Sequence, residues 1–213
     1  MIHEQVVVGP FQCNCSLLAC ETTREAIVVD PGGEGELILE ILKQKGWVVK
    51  YLVHTHAHLD HVGATEPVHA ATRGKICLHR DDLFLYENVA MQAALFGLPA
   101  FTVPDVEYFI EDKDILKFGK YRAEILHTPG HTPGSVTYLV DTEQGVELFT
   151  GDTLFMGSIG RTDLWGGDSQ QILRSIQDKL LPLDDGTRVH PGHGPHSTIG
   201  AERRRNPFLQ GLD

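Results

Sequence analysis

Between Val53 and Gly63 the chain reads Val53-His54-Thr55-His56-Ala57-His58-Leu59-Asp60-His61-Val62-Gly63, which puts four histidines and an aspartate inside eight residues. Imidazoles this crowded repel and desolvate one another whenever they charge, so a multidentate cation explains the segment better than packing does. His56 and His58 are alternate residues, and on a chain leaving a strand their rings project to one side, where both can reach one ion. Asp60 and His61 follow once the backbone turns and aim at a second point a few ångströms away. Two cations are therefore expected rather than one. The competing reading is a surface histidine tract, but such tracts are terminal, whereas this one is internal and follows the apolar run Val48 to Val53.

Three later segments carry residues of the same chemistry. His127-Thr128-Pro129-Gly130-His131-Thr132-Pro133-Gly134-Ser135 contains two prolines and two glycines, which force a rigid loop suited to holding a ligand. Phe149-Thr150-Gly151-Asp152-Thr153-Leu154-Phe155 sets a carboxylate directly after an apolar strand, where a cation would relieve the cost of an unpaired negative charge. His190-Pro191-Gly192-His193-Gly194-Pro195 again places a histidine between turn formers. A covalent serine route is not indicated, since neither Gly134-Ser135 nor Gly157-Ser158 has the G-x-S-x-G form.

Thr55-His56-Ala57-His58-Leu59-Asp60-His61 resembles the T-H-x-H-x-D-H signature of the metallo-β-lactamase-fold hydrolases, and the later segments resemble that family's T-P-G-H-T-P-G, G-D-T-L-F and P-G-H-G motifs in order. Within the family the chain is most similar to the short bacterial type II glyoxalases, from Asn14-Cys15 to Asn206-Pro207-Phe208. The resemblance implies an α/β fold, an αββα sandwich of two mixed sheets with helices on the outer faces and metals at one edge. It implies that His131 joins His56 and His58 on one metal, that His193 joins Asp60 and His61 on a second, and that Asp152 bridges both. Asp60 and Asp152 are then expected to be catalytic as well as ligating. His127 is expected to be structural or to support a ligand from behind, and His190 and His196 fall off the ligand positions. Zinc is the expected metal, with iron or manganese as alternatives, because imidazole and carboxylate together suit all three. Two cations about 3.5 Å apart would bring bridging water toward hydroxide and stabilise an oxyanion, and a thioester suits such a site because its thiolate leaves without a strong general acid. Arg161, in Gly160-Arg161-Thr162-Asp163, falls where longer type II glyoxalases carry a glutathione-contacting lysine and is nominated as the substrate anchor; the alternative is an arginine paired to Asp163 or Asp168.

The elements that must position these residues are legible as mixed α/β. Gln5 to Val8, Cys15 to Cys20 and Glu25 to Asp30 read as opening strands, Glu36 to Lys45 as a helix closed by Gly46, and Val48 to Val53 as the strand that delivers the first motif. A helix is expected over Gly63 to Thr72, starting beside the metal. A strand follows over Ile76 to His79 and one helical stretch over Arg80 to Phe96, whose tail of Met91, Ala94, Leu95 and Phe96 is read as core-packed, with a substrate wall as the alternative. Ile115 to Phe118, Arg122 to His127, Ser135 to Val140 and Val146 to Thr150 read as four strands, Ser169 to Leu181 as an amphipathic helix and Arg188 to His190 as a last strand. Glu202-Arg203-Arg204-Arg205-Asn206 reads as a solvated helix face, with a second anchor for an anionic substrate as the alternative.

With 213 residues, 41% hydrophobic and 22% charged, residues 1–213 are expected to form one domain, without the C-terminal helical domain into which full-length type II glyoxalases continue. A formal net charge of -11 argues against a nucleic-acid partner. The absence of a signal-like start or a membrane-length apolar segment implies a cytoplasmic protein with no membrane partner, and the four cysteines are expected to be reduced, with Cys13 and Cys15 as buried thiols. Three functions remain open: a binuclear thioester hydrolase acting on a small acylthiol such as S-lactoylglutathione, a mononuclear iron persulfide dioxygenase of the same fold, and a non-enzymatic metal-binding module. Oligomeric state is not encoded in any pattern found.

Overall fold

Period-two alternation in the strands assigns their two faces. In β3 (Glu25–Val29), Ala26 and Val28 join one buried cluster while Ile27 and Val29 join another. The computed structural model describes residues 1–211; the last two residues of the expected domain span 1–213 lie outside it. One six-stranded sheet has the order β1 (Ile2–Val8), β2 (Cys13–Ala19), β3, β4 (Val48–Val53), β5 (Lys75–His79) and β6 (Tyr108–Ile110). The next strands in the chain are β7 (Ile115–Phe118), β8 (Tyr121–His127), β9 (Val136–Thr142), β10 (Gly145–Gly151), the small hairpin β11 (Leu154–Phe155) and β12 (Ser158–Ile159), β13 (Arg188–Pro191) and β14 (Ser197–Thr198). The second six-stranded sheet runs β14-β13-β10-β9-β8-β7.

Helices cover the outer faces. They are α1 (Gly35–Lys45), α2 (Leu59–Val62), α3 (Thr65–Thr72), α4 (Leu83–Glu87), α5 (Val89–Leu95), α6 (Ser169–Ser175), which continues as a wide turn over Ile176–Leu180, and α7 (Ile199–Arg205). Ile38, Leu42, Val68, Leu85 and Val89 pack on one outer sheet face, and Ile172, Ile176, Leu180 and Ile199 on the other. Between the sheets lie Leu18, Ile27, Val53, Phe118, Ile125, Tyr138 and Phe149. This is the expected αββα sandwich.

Strand direction fixes where the site can be. β8 and β9 are antiparallel, as are β9 and β10, while β10 and β13 are parallel, so the carboxyl ends of β8, β10 and β13 lie along one edge. Those ends lead to His131, Asp152 and His193, and β4 of the facing sheet ends just before His56. Four loops thus open onto one cleft.

Several expectations need correction. Asp60 and His61 sit in α2, which ends before α3 begins, so the expected helix over Gly63 to Thr72 starts at Thr65 and the helical turn beside the site starts earlier, at Leu59. The stretch over Arg80 to Phe96 breaks into a 3-10 turn at Arg80–Asp82, α4 and α5, with non-helical backbone at Asn88. The end of α5 is not core-packed: Met91, Leu95 and Phe96 are exposed, while Gln92 and Ala93 carry the buried face. Glu202, expected to be solvated, is buried and accepts from Gly157 N and Asn206 Nδ2, although Arg203 and Arg204 do face outward to Asp185. β6, β14 and the β11–β12 hairpin were too short to give a sequence period.

Candidate metal centre

All seven residues expected to ligate metal converge on the cleft, in two facing groups. In the first group the candidate donor atoms of His56, His58 and His131 lie within 4.8 Å of one another. His131 Nε2 is 2.9 Å from His58 Nδ1 and 3.5 Å from Asp152 Oδ2. In the second, His193 Nε2 is 3.2 Å from both His61 Nε2 and Asp60 Oδ2. Asp152 turns its other oxygen to this group, with Oδ1 3.4 Å from His61 Nε2 and 3.7 Å from His193 Nε2.

Two of the candidate ligand atoms meet no donor at all. His56 Nε2 and Asp152 Oδ1 are buried and make no hydrogen bond. Donors held tetrahedrally at the usual 2.0–2.2 Å from a cation would stand roughly 3.3 Å apart, close to the 3.2 Å of the second group and bracketed by the 2.9 and 3.5 Å that His131 Nε2 makes in the first. Outer partners orient the rings. His131 Nδ1 lies 2.7 Å from the Arg161 carbonyl, His61 Nδ1 3.0 Å from Asp30 Oδ2, and His56 Nδ1 3.1 Å from Thr55 Oγ1, so each ring turns its Nε2 inward. The residues therefore fit a pair of divalent cations, held by one group each with Asp152 between them.

Electrostatics agree with that fit. Burial, with the neighbouring imidazoles, drives His56 well below the ordinary histidine range and His58 down to about 3, leaving neutral rings with free lone pairs. Burial also works against charge on His61, but Cys13 and the Asp152, Asp60 and Asp30 carboxyls outweigh it and raise its pKa well above normal. A pocket that favours positive charge on His61 favours a cation there. Burial opposes ionisation of Asp60 too, yet His61 and His193 hold it well below the usual carboxylate range. Burial pushes the Cys13 thiol, 3.6 Å from His61 Nδ1, up to about 12, against the opposing pull of His61.

Three positioning residues escaped the sequence reading. Asp82, fully buried, accepts from Ala57 N at 2.9 Å, Thr132 Oγ1 at 2.8 Å and Gly134 N at 2.6 Å, tying the His56–His58 loop to the His131 loop. Gln92 accepts from Leu59 N and donates to the Ala57 carbonyl, each at 3.0 Å. Asp30 takes Thr55 N at 2.7 Å as well as His61, from a left-handed backbone (φ 51°) that an aspartate tolerates better than most residues. Asn14, noted only as the start of the resemblance, donates to the Pro191 and Gly194 carbonyls at 2.9 Å and so clamps the His193 loop. The signal for Asp30 was available: it is an acidic residue directly after a strand, like Asp152.

Two glycines are required by close approach. A Cβ on Gly151 (φ 49°) would stand 2.2 Å from Thr55 Oγ1, and one on Gly192 would stand 2.3 Å from Asp152 Oδ1 and 2.7 Å from His61 Cε1.

Beside the cations' place a cavity of about 310 Å³ is lined by Phe11, Leu95, Phe96, Leu164 and Trp165 together with His58, Asp60, His131, Asp152 and Arg161. The wall formed by Leu95 and Phe96 is thus the alternative, not the favoured, expectation. Arg161 lines the cavity but also makes a two-point ion pair with Asp163, at 2.7 and 2.8 Å, as its other reading foresaw. His127 stands outside both donor groups of the cleft: its Nε2 lies 2.9 Å from the Pro133 carbonyl and its ring stacks on His79. The four cysteines are free and buried. Among the described residues no helix is long and apolar enough to cross a membrane.

A hydroxyacylglutathione hydrolase of Haemophilus influenzae, GloC, is 43% identical over 210 residues, 97% of this chain and 97% of its own. A mitochondrial persulfide dioxygenase of Bos taurus, ETHE1, is 30% identical over 94% of this chain and 73% of its own. The crystal structure of the B3 metallo-beta-lactamase BLEG-1 superposes with a TM-score of 0.91 at 39% identity, covering 99% of this chain and all of that one. TTHA1623 in a di-iron-bound form superposes with a TM-score of 0.88 at 40% identity, covering 97% of this chain and 100% of its own. The profile of the metallo-beta-lactamase superfamily matches residues 8–193, a span that contains every ligand-type residue of the cleft, and the chain, glyoxalase II-like in its motifs, belongs to that superfamily.

Proposed function

We propose that the protein is a binuclear metal-dependent hydrolase of a small acylthiol, with S-lactoylglutathione as the model substrate. The observation that carries this reading is Asp152 standing between two complete donor groups, with one oxygen toward each. The substrate class is supported by the 43% identity with a hydroxyacylglutathione hydrolase along nearly the full length of both chains. His56, His58 and His131 hold one cation, Asp60, His61 and His193 the other, and Asp152 both. When bound, a pair of divalent cations polarises a carbonyl, acidifies water and receives a leaving thiolate. Zinc is the expected metal, and the di-iron form of TTHA1623 keeps iron as an alternative. The chain's own contribution is to hold seven ligands in register, to exclude bulk water with Phe11, Leu95, Phe96 and Trp165, and to orient the substrate.

Arg161 is the proposed anchor for a carboxylate on the thiol half. Its pair with Asp163 is exposed and screened by solvent, so a substrate carboxylate can take Asp163's place. The protein is proposed to work in the cytoplasm, a setting that suits four unpaired cysteines.

A second reading, oxidation of a persulfide at a single iron, is favoured by the likeness to ETHE1. Elemental analysis alongside two assays separates them. The hydrolase reading predicts about two metals per chain and loss of S-lactoylglutathione without oxygen uptake. Oxygen consumption with glutathione persulfide and one iron per chain would replace it by the dioxygenase reading. A full metal complement without turnover of either compound, or of a β-lactam, would leave a metal-binding module.

A further inference from the structure

Away from the cleft, a second set of ring nitrogens joins the two sheets. His3 on β1, Glu147 on β10 and His190 on β13 bring their candidate donor atoms within 4.8 Å of one another. Each is oriented from outside the group. His3 Nε2 pairs with Ser16 Oγ at 3.0 Å, which leaves Nδ1 toward Glu147 Oε2 at 3.9 Å. Glu147 gives Oε1 to Arg188, so Oε2 is the oxygen turned to the cluster, 3.1 Å from His190 Nε2. His190 is 7% exposed; its Nδ1 has no partner, and its Nε2 meets Glu147 Oε2 at ion-pair distance without hydrogen-bond geometry. Its ring is fixed by stacking on Phe149 at 4.8 Å and by edge contacts with His3 and His196 at 4.7 and 4.5 Å.

We propose that His3, Glu147 and His190 form a separate divalent-cation site that ties the edge strand β1 to β10 and β13 of the other sheet. Two imidazoles and one carboxylate suit zinc or ferrous iron. The 3.1 Å separation already matches donors around one tetrahedral ion, and the 3.9 Å one closes to it by a fraction of an ångström. The exposed His196 marks the open side, where an ion can enter and a water or this third imidazole can complete the shell as fourth ligand. Burial, helped by His190, lowers His3 to about 4, so its ring offers a lone pair at neutral pH. The role is structural, since the cluster is built from strands rather than from the four loops that open onto the cleft.

The test is zinc content per chain, measured by plasma mass spectrometry after zinc loading and gel filtration of the full-length protein. His3→Ala and Glu147→Gln are each expected to bind one equivalent less than the unsubstituted protein while turnover is unchanged. Circular dichroism checks the fold, and if His3→Ala fails to fold, Glu147→Gln, which keeps the size and the hydrogen-bonding capacity of the side chain, carries the test. Equal zinc content in the unsubstituted protein and the folded variants overturns the site. So does a loss of zinc accompanied by loss of turnover, because the missing ion would then be one from the cleft. A cleft that proves to hold fewer ions than proposed would change the total but not the difference of one.

Discussion

The two halves of the metal cleft are built differently. His56, His58 and His131 are 1%, 8% and 2% exposed, are neutral by burial, and are locked through Asp82 and Gln92 to one another's loops. Asp60, His61 and His193 form a mixed set in which His61 is fully buried while the side chain of His193 is 26% exposed, and burial's opposition to charge on His193 is overcome by Asp60 and Asp152. The first half is a rigid nitrogen cage. The second draws a cation by charge and is reached more easily from solvent. On the binuclear reading proposed above, a site preset by geometry and one that relies on carboxylates would meet at Asp152.

Four experiments would sharpen or break that contrast. Replacing the junction has the largest expected effect: Asp152→Ala should lose metal from both halves and about a thousandfold in turnover. Elemental analysis showing full metal occupancy in that variant, with activity intact, would mean the halves are independent. His193→Ala should release one equivalent and leave the other resistant to chelator, with turnover down about a hundredfold; loss of both ions together would erase the distinction between cage and open half. Asp82→Ala strands three buried donors, partly offset by removing a carboxyl that burial has raised to about 6, and should cost about 2–3 kcal/mol. In a chain of this size that is roughly 6 °C in Tm, read by thermal unfolding, and an unchanged melting curve would show that the cage does not depend on this strut. Arg161→Ala should raise KM for a carboxylate-bearing thioester by up to about tenfold with kcat little altered, and a fall in kcat alone would remove it from substrate binding.

The ligands were easier to read than the residues that support them. His56, His58 and His131 stand out because imidazoles in turn-rich segments have few other uses, and Asp152 because it follows an apolar strand. Asp82 and Gln92 were invisible: their partners are backbone groups of loops far away in sequence, at separations from 25 to 52 residues, and no local pattern reports such a contact. The strands of the two sheets were legible wherever a run of apolar residues was long enough to alternate. β14 and the β11–β12 hairpin were not, since two residues carry no period. The helix over Arg80 to Phe96 was overextended because its apolar residues satisfy a helical spacing on either side of Asn88, and only tertiary packing decides that the chain bends there.

Gly192 contributes no atom to chemistry, yet a methyl group there would press on Asp152 and His61 at once. In a saturation library scored for survival, this position should therefore behave as though it were a ligand itself, accepting no other amino acid. The evolutionary routes open to the cleft run through its aromatic walls and rim, where change is cheap, while its floor is frozen by the shape of a backbone that must pass too close for any side chain to grow.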